Sequence, residues 1–247
     1  MPRFAVIVPA AGKSTRFKDR EKKPFATLDG RAVWIRSAEL FIPRNDVCQF
    51  ILVIAPEDRE KFLRRFTANL AFMNITLAEG GATRTDSVAN ALNKVRDEAD
   101  YVAIHDAVRP CITADQIDAV FQAAQQHGAA ILAVPVSDTL KRADTNRRIQ
   151  ATIPRQGLWL AQTPQVFRKD WLLAAYRKRD QLSDEITDDA QLVESAGYPV
   201  YVVEGTPTNI KITTKSDLIL AEAILKSLPK PKVPGPLHPF ADEMQWR

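Results

Sequence analysis

Short runs of β-branched and apolar residues alternate along the chain with segments whose apolar positions recur at helical spacing. The strand-like runs are Phe4–Pro9, Phe50–Ile54, Ile75–Leu77, Tyr101–His105 and Ala129–Val136. The helix-like segments between them are Ala32–Phe41, Glu57–Leu70, Arg84–Val95 and Ala114–His127. The strand runs are apolar at successive positions, so both faces of each strand are buried. A β-α-β-α series with such strands predicts an α/β fold: a mainly parallel, Rossmann-like sheet flanked by helices, with right-handed crossovers. Ligands in these sheets bind beyond the carboxyl ends of the strands, so the turns that follow the strands are where chemistry is to be sought.

From Ser137 the pattern changes to a polar, basic stretch that ends on apolar Leu158-Trp159-Leu160. It is too long for an ordinary connection, and excursions of this kind are usually functional or interaction arms. A protruding β-arm over approximately residues 137–163 is expected. Helices near Trp171–Lys178, Asp188–Ala196 and Ser216–Leu225 and a strand at Tyr198–Val203 complete a single domain over residues 1–228. Residues 229–247 hold five of the sixteen prolines and read as an extended tail. No internal repeat is present.

Composition narrows the class. A hydrophobic content of 45% with 26% charged residues is that of an ordinary globular domain. Cys48 and Cys111 stand far apart with no C-x-x-C, so neither a zinc site nor a disulfide framework is expected, and a cytoplasmic location fits. The first apolar run is too short to span a membrane. The net charge is +4, and the segment from Lys13 to Lys23, with six basic and two acidic residues, carries all of it. The rest of the chain balances, which argues against a nucleic-acid-binding face and for one local anion site.

That basic segment follows Pro9-Ala-Ala-Gly12 at the end of the first strand. Small residues there let a ligand approach the backbone, and N–H groups followed by Lys and Arg form a phosphate cradle. The G-x-x-x-x-G-K-[ST] spacing of a P-loop is absent, as are the later glycines of a dinucleotide fingerprint. His105-Asp106 at a strand end invites a hydrolase reading, but no G-x-S-x-G elbow accompanies it.

Pro9-Ala-Ala-Gly12 with Arg16 and Lys23 is similar to the opening of nucleotidyltransferases that join a nucleoside triphosphate to a sugar phosphate. Further along stand Gly80-Gly-Ala-Thr-Arg-Thr-Asp-Ser-Val88, His105-Asp-Ala-Val-Arg-Pro110 and Ser137-Asp-Thr-Leu-Lys141, then Thr163-Pro-Gln165, Thr187-Asp-Asp-Ala190 and Asn209-Ile-Lys211. Taken in this order, the set resembles the 2-C-methyl-D-erythritol 4-phosphate cytidylyltransferase family over residues 4 to 226.

The resemblance implies transfer of CMP from CTP to 2-C-methyl-D-erythritol 4-phosphate with release of pyrophosphate, in the non-mevalonate route to isoprenoids. It implies Mg2+, held chiefly by CTP phosphates and water, with Asp106 as a candidate helper. Arg16, Lys23 and Lys211 match the catalytic basic positions. Ala10, Ala11, Gly12, Gly81, Arg84 and Ser87 match the CTP pocket. Asp106, Arg109, Thr139, Arg155 and Thr187 match the site for the polyol phosphate. In the family the arm's Arg reaches a neighbouring subunit, so a homodimer is implied, with neither nucleic acid nor membrane as partner.

Three positions depart from the family pattern. Ser14 replaces a second Gly, Lys22 replaces a Pro and competes with Lys23 for the catalytic role, and Thr208 stands where an acidic residue is usual. The alternatives kept open are a ribitol 5-phosphate cytidylyltransferase and a catalytically weakened CTP-binding protein. A nicotinamide oxidoreductase is disfavoured by the missing glycines.

Overall fold

The computed structural model describes residues 1–12, 17, 21–181 and 186–228. Its centre is a seven-stranded sheet. The strands are β1 (Phe4–Pro9), β4 (Val47–Ile54), β5 (Ile75–Glu79), β6 (Tyr101–Ile104), β7 (Ala129–Pro135), β10 (Trp159–Arg168) and β11 (Tyr201–Glu204). They lie in the order β11-β7-β10-β6-β1-β4-β5. Within this sheet β10 alone runs antiparallel to its neighbours, β6 and β7. Two small ribbons lie outside it: β2 (Thr27–Leu28) with β3 (Arg31–Ala32), and β8 (Leu140–Ala143) with β9 (Ile149–Ile153).

The unbroken apolar runs bury both strand faces, and the period of two sorts their side chains. Phe4, Val6, Val8, Phe50, Leu52 and Ile54 point to one face, where they meet Trp34 of α1 (Val33–Ala38), Phe62 and Phe66 of α2 (Arg59–Phe72) and Phe121 of α4 (Ala114–His127). Ile7, Ile51, Val53, Val102 and Ile104 point to the other. There they meet Val88 of α3 (Arg84–Leu92), Leu172 of α5 (Lys169–Arg177) and Val193 of α6 (Asp189–Ser195). Each fully buried Phe, Leu or Ile contributes roughly 1.5–3 kcal/mol. A smaller cluster of Phe17, Leu28, Val33, Val108 and Ile212 packs under α7 (Lys215–Ser227) and anchors Phe17 beside the basic segment.

Helix starts follow local rules. Thr83, Thr113 and Thr214 each cap a helix and complete a capping box with Asp86, Gln116 and Asp217. Asp217 accepts from the Thr213 and Thr214 amides and the Thr213 hydroxyl. Against the burial that would raise its pKa, these bonds bring it down to about 2.

Two expectations change. The stretch Ala32–Phe41 is helical only from Val33 to Ala38, because the β2–β3 hairpin occupies Ala32 and the apolar spacing beyond Ala38 belongs to turns. The excursion after Ser137 forms the exposed β8–β9 ribbon, and from Trp159 the chain is already back in the central sheet. The β10 signal was obscured because its start is solvent-exposed while Gln162 to Phe167 are buried. The expected tail, residues 229–247, lies outside the described residues.

Gly128 ends α4 at φ +88°, and a Cβ there would meet the Trp171 ring at 2.4 Å. Gly128→Ala combines left-handed strain with overpacking and should cost roughly 2–4 kcal/mol, read as a lower urea midpoint at unchanged slope. A loss smaller than about 1 kcal/mol would contradict this packing.

Candidate active site

Strand β1 connects on one side to β4 and on the other lies against β6, so the chain reverses its direction of winding there. A crevice opens at the carboxyl ends of these strands, as this topology dictates. It has a volume of about 640 Å3. Its walls include Ala10, Ala11 and Gly12 after β1, Gly81, Arg84 and Ser87 around the start of α3, and Asp106 after β6. Lys23 and Lys211 also line it.

The turn after β5 is built to be thin. A Cβ on Gly80 would fall 2.4 Å from Ala11 Cβ, and one on Gly81 would fall 2.3 Å from Asp86 Cβ. Ser87 Oγ accepts from the Gly81 amide at 3.0 Å and donates to the Thr83 carbonyl at 2.9 Å. Ser87 therefore shapes the loop that faces the crevice. The Ala10 amide is already bonded to the Val53 carbonyl at 2.8 Å. With both amides engaged, Ala10 and Gly81 retain their carbonyls as backbone groups for a ligand.

Asp106 is the electrostatic centre. Its carboxylate lies 2.9 Å from Lys211 Nζ, 3.4 Å from Arg109 Nε and 3.8 Å from Arg84 Nε. Burial alone would raise its pKa, but Lys211, Arg84 and Arg109 outweigh burial and hold it well below the usual carboxylate range. Its amide donates to Thr163 Oγ1 at 3.0 Å. The fully buried His105 ring lies between Thr163 and the Arg109 carbonyl, with Nδ1 3.2 Å from Thr163 Oγ1 and Nε2 3.1 Å from that carbonyl. A carbonyl can only accept, so Nε2 carries the proton and the Thr163 hydroxyl donates to Nδ1. Burial lowers the His105 pKa to about 4, so the imidazole is neutral and structural, in keeping with the absence of a triad.

The structure separates the two competing lysines. Lys22 Nζ is held by Asp58 at 2.6 Å and by Glu57, itself a wall residue of the crevice, at 3.2 Å, whereas Lys23 lines the crevice directly. The short turn Lys23–Phe25 is anchored by Phe25, whose ring packs 5.5 Å from that of Phe62. Arg16 lies outside the described residues. Arg109 is nearly buried and donates to the Asn209 carbonyl at 2.7 Å, so it braces the Lys211 segment from below the crevice. Thr187 is exposed and donates its amide and hydroxyl to Gln191 Oε1. Thr139 and Arg155 are exposed on the arm and do not line the crevice of their own chain. Thr208, at the position of the usual acid, shares a 2.7 Å hydrogen bond with Thr206, which also accepts from Gln116 at 2.9 Å.

Four residues with a structural claim on the site had no role assigned from sequence: His105, Thr163, Tyr176 and Asp189. The runs His105-Asp106, Thr163-Pro-Gln165 and Thr187-Asp-Asp-Ala190 mark three of them. Tyr176 has no sequence signal apart from its place on an amphipathic helix.

A Rossmann-like sheet with a thin-walled, lysine-lined crevice at its switch point fits a nucleotidyltransferase. A family model described as IspD: 2-C-methyl-D-erythritol 4-phosphate cytidylyltransferase matches residues 4–227. The chain belongs to that family. It is 42% identical over 233 residues to the 2-C-methyl-D-erythritol 4-phosphate cytidylyltransferase of Rhodopirellula baltica, covering 90% of this chain and 94% of that protein. It is 39% identical over 231 residues to the bifunctional enzyme IspD/IspF of Desulfotalea psychrophila, covering 94% of this chain and 59% of that longer protein. The crystal structure of 2-C-methyl-D-erythritol 4-phosphate cytidylyltransferase from Thermus thermophilus superposes with a TM-score of 0.75 at 33% identity, covering 90% of this chain and 98% of that one.

Two outcomes follow from this geometry. Lys23→Ala should lower turnover by about 10²–10³-fold, as loss of a transition-state cation does, while Lys22→Ala stays within about threefold of wild type. The reverse ranking in steady-state assays would transfer the role to Lys22. Folding stability should also fall as pH drops from about 6.5 towards about 4, because the unfolded chain protonates His105 there and the folded one does not. The loss is on the order of 3 kcal/mol, and His105→Gln should flatten that part of the stability profile measured by denaturant titration.

Proposed function

We propose that this chain transfers the cytidylyl group of CTP to 2-C-methyl-D-erythritol 4-phosphate and releases pyrophosphate. The observation that carries the reading is the crevice itself, with Lys23 and Lys211 on its sides and an ionised Asp106 at its floor. The acceptor phosphate attacks the α-phosphorus in line, and negative charge grows on the equatorial oxygens and the departing pyrophosphate. No covalent intermediate is needed. The protein's task is to position the two anions and stabilise that charge. Lys23 and Lys211 supply positive charge from two sides, and Arg16 is assigned to the same task from the sequence resemblance. The carbonyls of Ala10 and Gly81 suit the exocyclic amine of cytosine, which can only donate.

Mg2+ fits this donor set as a cation carried by the triphosphate. Among the described residues there is no cluster of three or more His, Cys, Asp or Glu side chains able to hold a metal. Asp106 is the carboxylate at the crevice floor that would add a protein ligand to phosphate oxygens and water. The cation's contribution when bound is to neutralise phosphate charge.

The acceptor assignment requires a second copy of the chain. Asp106 and Arg109 belong to the crevice region, but Thr139 and Arg155 lie away from it on an arm whose Leu158, Trp159 and Leu160 are exposed. A homodimer in which each arm supplies Arg155 to the partner's crevice accounts for both facts. A guanidinium fork suits a phosphate monoester. No helix among the described residues is long and apolar enough to cross a membrane. Cys48 and Cys111 are free thiols, and burial pushes Cys111 up to about 12, which suits the cytoplasm we assign.

The test is pyrophosphate release from CTP and Mg2+ with methylerythritol phosphate or ribitol 5-phosphate as acceptor. Release with the first acceptor alone is expected. Release with the second alone would overturn the acceptor assignment. Lys23→Ala and Arg155→Ala should each be inactive alone and regain up to about one quarter of wild-type activity when mixed and reassembled, since one crevice of a mixed dimer is then intact. Absence of any recovery would refute the crossed arm.

A further inference from the structure

The floor of the crevice holds a line of alternating charges that begins outside it. Asp189, at the start of α6, is 1% exposed and does not line the crevice. Its Oδ2 lies 2.7 Å from Arg84 Nη2, and Arg84 does line the crevice. Arg84 Nε in turn is 3.8 Å from Asp106 Oδ1, and Asp106 Oδ2 is 2.9 Å from Lys211 Nζ. The order is therefore Asp189, Arg84, Asp106, Lys211.

Asp189 is held as firmly as a residue in the crevice. The Tyr176 hydroxyl donates to its Oδ1 at 2.6 Å. Its amide and that of Ala190 donate to Gln165 Oε1 at 3.2 and 3.0 Å, and Gln165 Nε2 donates to Asp188 Oδ2 at 2.8 Å. Burying an ion pair rarely gains net stability, because desolvation offsets the Coulomb attraction. Geometry is what such a pair supplies. Arg84 has two carboxylates within reach, and the closer contact with Asp189 keeps its guanidinium from closing on Asp106.

Resting on the cytidylyl-transfer reading, we propose that Asp189 is a positioning residue that aims Arg84 into the nucleotide side of the crevice and leaves Asp106 to orient Lys211. Neutralising Asp189 leaves Asp106 as the nearest negative partner of Arg84. Arg84 then moves off the nucleotide and competes with Lys211 for the same carboxylate. Asp189 also precedes Ala190 on α6 and follows Thr187 and Asp188, so it ties the nucleotide wall to the segment assigned to the polyol phosphate.

The experiment is a double-mutant cycle on the full chain with Asp189→Asn and Arg84→Ala, read by CTP calorimetry and by KM and kcat for pyrophosphate release. Asp189→Asn should weaken CTP binding and raise KM for CTP by about tenfold, and should add less than about twofold in the Arg84→Ala background. Unchanged CTP binding, or the same loss with and without Arg84, overturns the proposal. If Asp189→Asn does not fold, Tyr176→Phe removes one of the two contacts that orient the carboxylate. It should raise KM for CTP a few-fold only when Arg84 is present, and a wild-type KM would overturn the proposal. Calorimetry needs no turnover, so an inactive wild-type enzyme that binds CTP would refute the functional reading while leaving this one testable on the same proteins.

Discussion

The site depends on keeping one carboxylate ionised in a nearly buried position. Asp106 loses most of its water just after β6, and that burial by itself disfavours its charged form. Lys211, Arg109 and Arg84 reach it from three different parts of the chain and reverse that preference. Removing any one cation would leave the same buried negative charge less compensated. The network thus constrains the Lys211 segment, the Arg109 loop and the start of α3 together, and with them most of the crevice wall.

Neutral hydrogen bonds hold the backbone on which those charges are mounted. The Asp106 amide, the Thr163 hydroxyl, the His105 ring and the Arg109 carbonyl form one chain with donors and acceptors matched. Asn209 adds bonds to Gln162 and Thr163 and offers its carbonyl to Arg109. In so poorly hydrated a place an unmatched polar group costs about 1–3 kcal/mol, so the matched chain resists rearrangement, while Asn209 Oδ1 has no hydrogen-bond partner among the described residues. The result is a rigid floor beneath two lysines that must meet a mobile, highly charged ligand.

The departures from the family pattern acquire physical meanings here. Lys22, where a proline is usual, is paired with Asp58 and Glu57, whereas Lys23 lines the crevice. Thr208, where an acid is usual, joins Thr206 and Gln116 in a neutral network. The carboxylate that Lys211 meets is that of Asp106, at 2.9 Å.

The strands and helices were legible in the sequence because two periodicities, continuous apolar runs and helical spacing, are local properties. Small residues after a strand are likewise a local feature, one that serves packing as often as binding, and only the fold shows Ala10, Ala11, Gly12 and Gly81 lining one crevice. The antiparallel β10 was not, since its pairing with β6 and β7 is decided by which neighbours lie available in space, and its exposed start resembles a loop. Nor could spacing separate Lys22 from Lys23, because Lys22 is paired with Asp58, which is distant in sequence and adjacent in the fold. Asp189 and Tyr176 escaped notice because a buried ion pair has no periodic signature. The sequence by itself determined the fold class and the chemical identity of the crevice, whereas only the tertiary structure decided which charges face one another, since Coulomb energies depend on distance and burial rather than order along the chain.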